Sequence, residues 1–133
     1  AGGYPPLANP KISRDFVYID DVCAVIQAVI DRAASTPRGE IFNIGTGTCT
    51  TLEEIVGRVR TLFGLAEEPA WGSMANRHWD HPDWYSNPTK AKELLGWRGT
   101  TSLDAGLAQT ARWMDENPAA VSAAEANLVT GTK

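Results

Sequence analysis

The run Arg14-Asp15-Phe16-Val17-Tyr18-Ile19-Asp20-Asp21-Val22 decides how this chain is read. Its first six residues, Arg14 to Ile19, are rich in aromatic and β-branched types and predict a strand. The two acids that follow predict a helix start, because a carboxylate accepts orphan backbone N–H groups and suits the positive helix end. Val22, Val25, Ile26, Val29, Ile30 and Ala33 then recur at helical spacing, so a helix is expected over residues 21–34, with Pro37 and Gly39 ending it. The same order repeats downstream. Glu40 to Ile44 predicts a second short strand that ends at Gly45-Thr46-Gly47. Thr50 and Glu53 have capping-box spacing, and Leu52, Ile55, Val56, Val59, Leu62 and Phe63 carry a second helix until Gly64 stops it.

Outward from this strand-helix-strand-helix block the pattern changes. Residues 1–13 carry Gly, Pro and Asn with little periodicity and read as an irregular lead-in. Pro69 to Ser86 reads as a loop in which Trp71, Trp79, Trp84 and Tyr85 alternate with Arg77, His78, Asp80, His81 and Asp83. Asn87-Pro88 then predicts a helix start, with Thr89 to Leu95 helical, Gly96 closing the helix and Trp97 in the turn. Ser102 is placed to cap a last helix lined by Leu103, Leu107, Thr110, Ala111 and Met114, which Asn117-Pro118 ends. Residues 118–133 are Ala-rich, poor in large apolar groups, and expected to be a flexible tail, disordered or only weakly helical. The fold class expected is α/β, with few short strands and about four helices. Two strands are too few for a self-sufficient doubly wound sheet, which leaves room for partner strands outside this chain.

Composition excludes several classes of function. The 133 residues are 43% apolar, the proportion of an ordinary globular domain large enough to fold without a disulfide scaffold or structural metal. Twelve basic residues stand against sixteen acidic ones, and the net charge of −4, without a basic cluster, argues against a nucleic-acid partner. The longest apolar stretch, Val22 to Ile30, contains Gln27 and is far shorter than the ~20 residues that span a bilayer. The chain opens on Ala1 beside Gly2, Gly3, Pro5 and Pro6, and is expected to be a fragment or processed product. Cys23 falls among Val22, Val25 and Ile26 and is expected to pack on an apolar helix face. Two Cys without repeated spacing point to free thiols and a reducing, cytoplasmic setting.

Three groups of residues carry candidate chemistry. Gly45-Thr46-Gly47 lies between a predicted strand and helix, where glycine turns admit a pyrophosphate, but the third glycine of the dinucleotide fingerprint is missing because Thr50 occupies its place. A plain strand-to-helix turn is the simpler reading. His78, Asp80, His81 and Asp83 offer imidazole and carboxylate for a divalent metal, but Pro82 excludes a regular helix that would align them, and no metal ligand is assigned. Arg14, Arg77 and Asp80 offer guanidinium groups for bidentate phosphate recognition and a carboxylate for sugar hydroxyls. On composition alone a structural ion pair of Arg14 with Asp15 or Asp20, and a solvated Arg77, is the favoured account. The sequence contains neither Gly-x-x-Gly-x-x-Gly nor a Tyr with Lys four residues later.

Three blocks taken together, Arg14 to Val22, Glu40 to Gly47, and Asn87-Pro88-Thr89-Lys90-Ala91 with Leu94-Leu95-Gly96-Trp97, resemble the C-terminal part of extended short-chain dehydrogenase/reductase proteins, the NAD-dependent nucleotide-sugar epimerases and dehydratases. They occur in the family's order over roughly residues 8–117. The resemblance implies a Rossmann domain holding NAD(P) that is missing from this chain, and a nucleotide-sugar (substrate) binding domain over residues 14–117. It implies oxidation of the sugar, usually at C4, followed by epimerisation, dehydration or reduction, through a Tyr and Lys that this chain lacks. By position Arg14, and Arg77 with Asp80, match the family's Arg-Asp and Arg-x-x-Asp patterns, so substrate binding is expected at Arg14, Arg77 and Asp80. No catalytic, cofactor-binding or metal-ligating residue is expected here. The implied partners are a nucleoside diphosphate sugar and the N-terminal Rossmann domain, and the resemblance is compatible with a homodimer. Two departures stand out: Asn9-Pro10-Lys11-Ile12-Ser13 replaces a Gly-rich turn with Gln, and Asn87 replaces a common Asp. The rival expectations are a free-standing nucleotide-sugar binding or regulatory module and a small metal-binding protein.

Overall fold

A computed structural model of the chain describes residues 4–36, 38–75 and 81–130. Its elements run β1 (Ser13–Arg14), α1 (Ile19–Asp31), β2 (Thr50–Thr51), α2 (Leu52–Phe63), β3 (Asp83–Trp84), α3 (Thr89–Leu95), α4 (Leu103–Glu116) and α5 (Pro118–Thr130). The architecture is α/β, with five helices and three two-residue strands among the described residues. β1 lies in the middle of the small sheet. It pairs antiparallel with β2, Arg14 opposite Thr50, and parallel with β3, Arg14 opposite Trp84.

The predicted strands are the main correction. Of Arg14 to Ile19 only Arg14 is in a strand, joined by Ser13, and Ile19 is already helical. Glu40 to Ile44 pairs with nothing among the described residues. It keeps the two-residue alternation of a strand, with Phe42 and Ile44 turned inward while Ile41 and Asn43 are exposed, but a ladder also needs a neighbouring backbone. β3 falls inside the segment expected to be loop.

The helices follow their patterns with shifted ends. α1 starts at Ile19 with Tyr18 at the N-cap, so Asp20 and Asp21 sit in its first turn. The capping box of α2 uses Thr51 and Glu54, one residue later than expected: Glu54 N–H donates to Thr51 Oγ1 at 3.2 Å and Thr51 N–H donates to Glu54 Oε2 at 2.8 Å. Gly64, left-handed at φ 61°, and Gly96, at φ 68°, close α2 and α3 as expected. Ser102 caps α4 by accepting from Ala105 N–H at 3.2 Å. Arg58 joins α2 to α4 by donating to both carboxylate oxygens of Asp104 at 2.6 Å. Residues 118–130, expected to belong to a tail at most weakly helical, form α5. Alanine is the best helix former, and this segment places five alanines at 119, 120, 123, 124 and 126 behind Pro118 at the first helical position.

The core is small and lies between α1 and α3. Val25, Ala91, Leu95 and Trp97 are buried, with Val17, Ala28, Phe42 and Ile44 packed against them. Asp21, 6% exposed, joins this core to the chain beyond α3. Its carboxylate accepts from Thr100 N–H and Thr100 Oγ1 at 3.2 and 3.0 Å and from Thr101 N–H at 3.0 Å, while its backbone carbonyl accepts from Trp97 Nε1 at 2.7 Å. Burial pushes the Asp21 carboxyl up, but the hydrogen bonds from Thr101 and Thr100 outweigh it and hold the carboxyl below its usual value.

Much apolar surface stays uncovered. The accessible surface is 9695 Å², against about 6,800 Å² for a compact 14.4 kDa monomer. Ile26 and Ile30 of α1 are 56% and 62% exposed. With Val25, Val29, Phe42 and Ile44 they line an open apolar groove of about 300 Å³. Cys23, expected to be packed, is exposed, and so is Cys49; both thiols are free. No helix among the described residues is long and apolar enough to cross a membrane.

Candidate functional site

The candidate site forms where β1 runs out. Arg14, the last residue of β1, lies between β2 and β3, and an open cleft of about 400 Å³ is lined by Arg14, Asp15, Asn43, Ile44 and residues 84–87. The Arg14 guanidinium is held by backbone carbonyls: Nη1 donates to Ser13 O at 2.6 Å and to His81 O and Pro82 O at 3.4 Å. Ser13 holds the other strand in place, its N–H donating to Pro82 O at 2.7 Å and its hydroxyl to Asp83 Oδ1 at 2.7 Å. Trp84 and Tyr85, 54% and 65% exposed, present aromatic surface at the cleft, and the His81 ring stands edge-on to Trp84 with centroids 6.4 Å apart.

Asp15 organises the floor of this cleft. Its Oδ1 accepts from Thr46 N–H at 2.9 Å and Thr46 Oγ1 at 2.5 Å; its Oδ2 accepts from Gly47 N–H at 2.9 Å and from Ser86 N–H and Oγ at 3.3 and 3.4 Å. Burial raises the Asp15 carboxyl, but these bonds from Thr46, Gly47 and Ser86 outweigh it and hold the carboxyl below its usual value. The packing is tight enough that a Cβ at Gly45 would collide with Ser86 Oγ and come within 2.5 Å of Asp15 Oδ2. Gly45 is therefore required by close approach rather than by its backbone angles.

This arrangement settles the glycine turn. The amides of Thr46 and Gly47, which a pyrophosphate would need, already face an internal carboxylate, whose charge would repel an incoming phosphate. The turn does not fit the pyrophosphate of a dinucleotide cofactor. On the edge of the same region Lys90 forms an ion pair with Glu40, donates to Ile41 O at 3.0 Å and lies over the Phe42 ring at 5.2 Å, tying α3 to the 40–44 segment.

Of the three residues expected to bind substrate, Arg14 lies in the cleft, while Arg77 and Asp80 lie outside the described residues, as does His78. Among the described residues no group of three or more His, Cys, Asp and Glu side chains is placed to hold a metal ion. Sequence reasoning gave Asp15 only as an ion-pair partner of Arg14 and missed its cradle. The available signal was an acid at the start of a predicted strand together with a Gly-Thr-Gly turn whose amides need an acceptor.

Comparison with known proteins finds relatives of this sequence and fold. The family model described as "NAD dependent epimerase/dehydratase family" matches residues 6–45. UDP-glucose 4-epimerase of Yersinia pestis is 30% identical over 116 residues, covering 87% of this chain and 33% of the relative. The crystal structure of UDP-glucose 4-epimerase from Thermotoga maritima with UDP-glucose superposes with a TM-score of 0.72 at 31% identity, over 84% of this chain and 35% of that one. A dTDP-glucose 4,6-dehydratase from Bacillus anthracis, solved with NAD, superposes with a TM-score of 0.68 at 26% identity, over 84% and 34%. The chain thus spans about a third of the length of the relatives it matches.

Proposed function

We propose that this chain, which is related by sequence and fold to the NAD-dependent epimerase/dehydratase family, is the substrate-binding portion of a nucleotide-sugar epimerase or dehydratase. The observation that carries the reading is the position of Arg14 in a cleft lined by the exposed rings of Trp84 and Tyr85. A guanidinium is always charged and matches phosphate oxygens bidentately, which suits it to a nucleoside diphosphate. In this reading Arg14 and Arg77 hold the diphosphate and Asp80 accepts from the ribose. The relative from Thermotoga maritima, solved with UDP-glucose, supports the substrate class.

NAD(P) is assigned to a Rossmann domain outside these 133 residues. Two features of the chain support that assignment. The glycine turn is filled by Asp15, and the uncovered groove of Val25, Ile26, Val29, Ile30, Phe42 and Ile44 is the kind of apolar surface that a further domain covers. The chain alone is then catalytically inert. Its exposed free thiols fit the reducing cytoplasm.

Calorimetric titration at low salt with a panel of nucleoside diphosphates tests the reading. Binding by the unsubstituted chain, with at least a tenfold loss in an Arg14→Ala, Arg77→Ala double variant, is the expected result. Equal binding by both proteins would remove the two arginines from the site.

A further inference from the structure

Asp15 lines the cleft beside Arg14, yet its charge has the wrong sign for a phosphate site. A carboxylate near an incoming diphosphate costs binding energy by simple repulsion unless it does something that offsets that cost. Its hydrogen bonds show what that is. Five donors from two distant segments converge on its two oxygens, Thr46 on Oδ1, and Gly47 and Ser86 on Oδ2. Ser86 follows β3 by two residues and lines the cleft, and the 45–47 turn continues directly from Asn43 and Ile44, which line it too, so this one carboxylate fastens both segments to the residue next to Arg14.

We propose that Asp15 is a positioning residue for nucleoside diphosphate binding, acting through Arg14 by clamping the 45–47 turn and Ser86 to the end of β1. The proposal rests on the substrate-binding reading above and deepens it. With the clamp closed, the backbone on which Arg14 is mounted is fixed on both sides, by the ladder to Thr50 and Trp84 and by the cradle one residue later. The carbonyls of Ser13, His81 and Pro82 then hold the guanidinium at the cleft. Both carboxylate oxygens are required. Asparagine has one acceptor oxygen, so it serves either Thr46 or the Gly47 and Ser86 pair and presents its NH₂ to the other donors.

The sign of one substitution separates this role from a purely electrostatic one. Asp15→Asn removes a negative charge at nearly constant shape. If Asp15 were only a charge beside the cleft, UDP would bind more tightly to the variant. The positioning role predicts at least a tenfold weaker binding.

Asp21 supplies a control for loss of stability, since its carboxylate also accepts several hydrogen bonds but does not line the cleft. Calorimetric titration of UDP into the full chain, Asp15→Asn, Asp21→Asn and Arg14→Ala, at a temperature where circular dichroism shows each folded, makes the test. Expected are a tenfold or greater loss for Asp15→Asn and Arg14→Ala and a change under twofold for Asp21→Asn. Should Asp15→Asn fail to fold, Ser86→Ala, which removes one donor to Oδ2, is expected to weaken UDP two- to fivefold. Unchanged or tighter binding by Asp15→Asn, or by Ser86→Ala where that variant stands in, overturns the proposal and leaves the substrate-binding reading in place. An equal loss in Asp21→Asn also overturns it, as a general effect of stability. Absence of UDP binding by the unsubstituted chain, with the other nucleoside diphosphates also failing, overturns both.

Discussion

Trp97→Ala is expected to bring the chain close to unfolding, with a loss of about 3–5 kcal/mol in a chemical denaturation followed by circular dichroism. Trp97 is 5% exposed and completes a core of only four buried apolar residues among those described, the others being Val25, Ala91 and Leu95. Its indole also donates to the Asp21 carbonyl at 2.7 Å, which fixes the start of α1 to the turn after α3. Truncation therefore opens a cavity and removes the buried hydrogen bond from the indole to a carbonyl of α1. Small domains have total stabilities of about 5–15 kcal/mol, and with so much apolar surface uncovered this chain has little to spare. A loss under about 1 kcal/mol would show that the core is organised elsewhere than between α1 and α3.

Asp21→Asn is expected to cost about 1.5–3 kcal/mol, the range of a hydrogen bond to a charged acceptor, and to flatten the loss of stability in acid. The sign follows from the native hydrogen bonds. Asp15 and Asp21 are both held below the ordinary carboxyl value in the folded chain, because the hydrogen bonds to each carboxylate outweigh the effect of burial. The unfolded chain therefore takes up protons first as the pH falls. The stability these groups contribute is complete above the unfolded value of about 4 and disappears as the pH drops through their lower folded values. A melting temperature that is level between about pH 7 and 5 and falls below about pH 4 is expected of the unsubstituted chain. Asp21→Asn should start lower and fall less steeply, and an identical acid slope in both proteins would remove Asp21 from that dependence.

The helices were legible in the sequence because their determinants are local. Starts at Thr51, Pro88 and Ser102 and stops at Gly64, Gly96 and Asn117 are set by residues next to the helices themselves, and α2, α3 and α4 each formed within a residue or so of their expected ends. The strands were not legible in the same way. Among the described residues Phe16, Val17 and Tyr18 have strand composition but no ladder, and residues 40–44 keep strand alternation without a paired strand, since pairing depends on backbone that no local pattern reveals. Alanine content gave α5 a helix that its lack of an apolar face concealed.

At the site, Arg14 stood out as a charge at the head of an apolar run. The role of Asp15 did not, because its donors are 31, 32 and 71 residues away in the chain. Asp21 was read as a helix-start residue and is also a long-range anchor, to residues 79 and 80 positions away. The structure at this end of the chain thus depends on acids whose partners only the fold assembles.

The central claim, that the cleft at the end of β1 takes a nucleoside diphosphate, is tested most directly by amide chemical-shift mapping of the isotope-labelled chain during titration with UDP. The account predicts perturbations concentrated at Arg14, Asp15, residues 43–47 and residues 84–87, with the α1 groove around Ile26 and Ile30 unmoved. Perturbations centred on that groove, or none anywhere at saturating UDP, would contradict it.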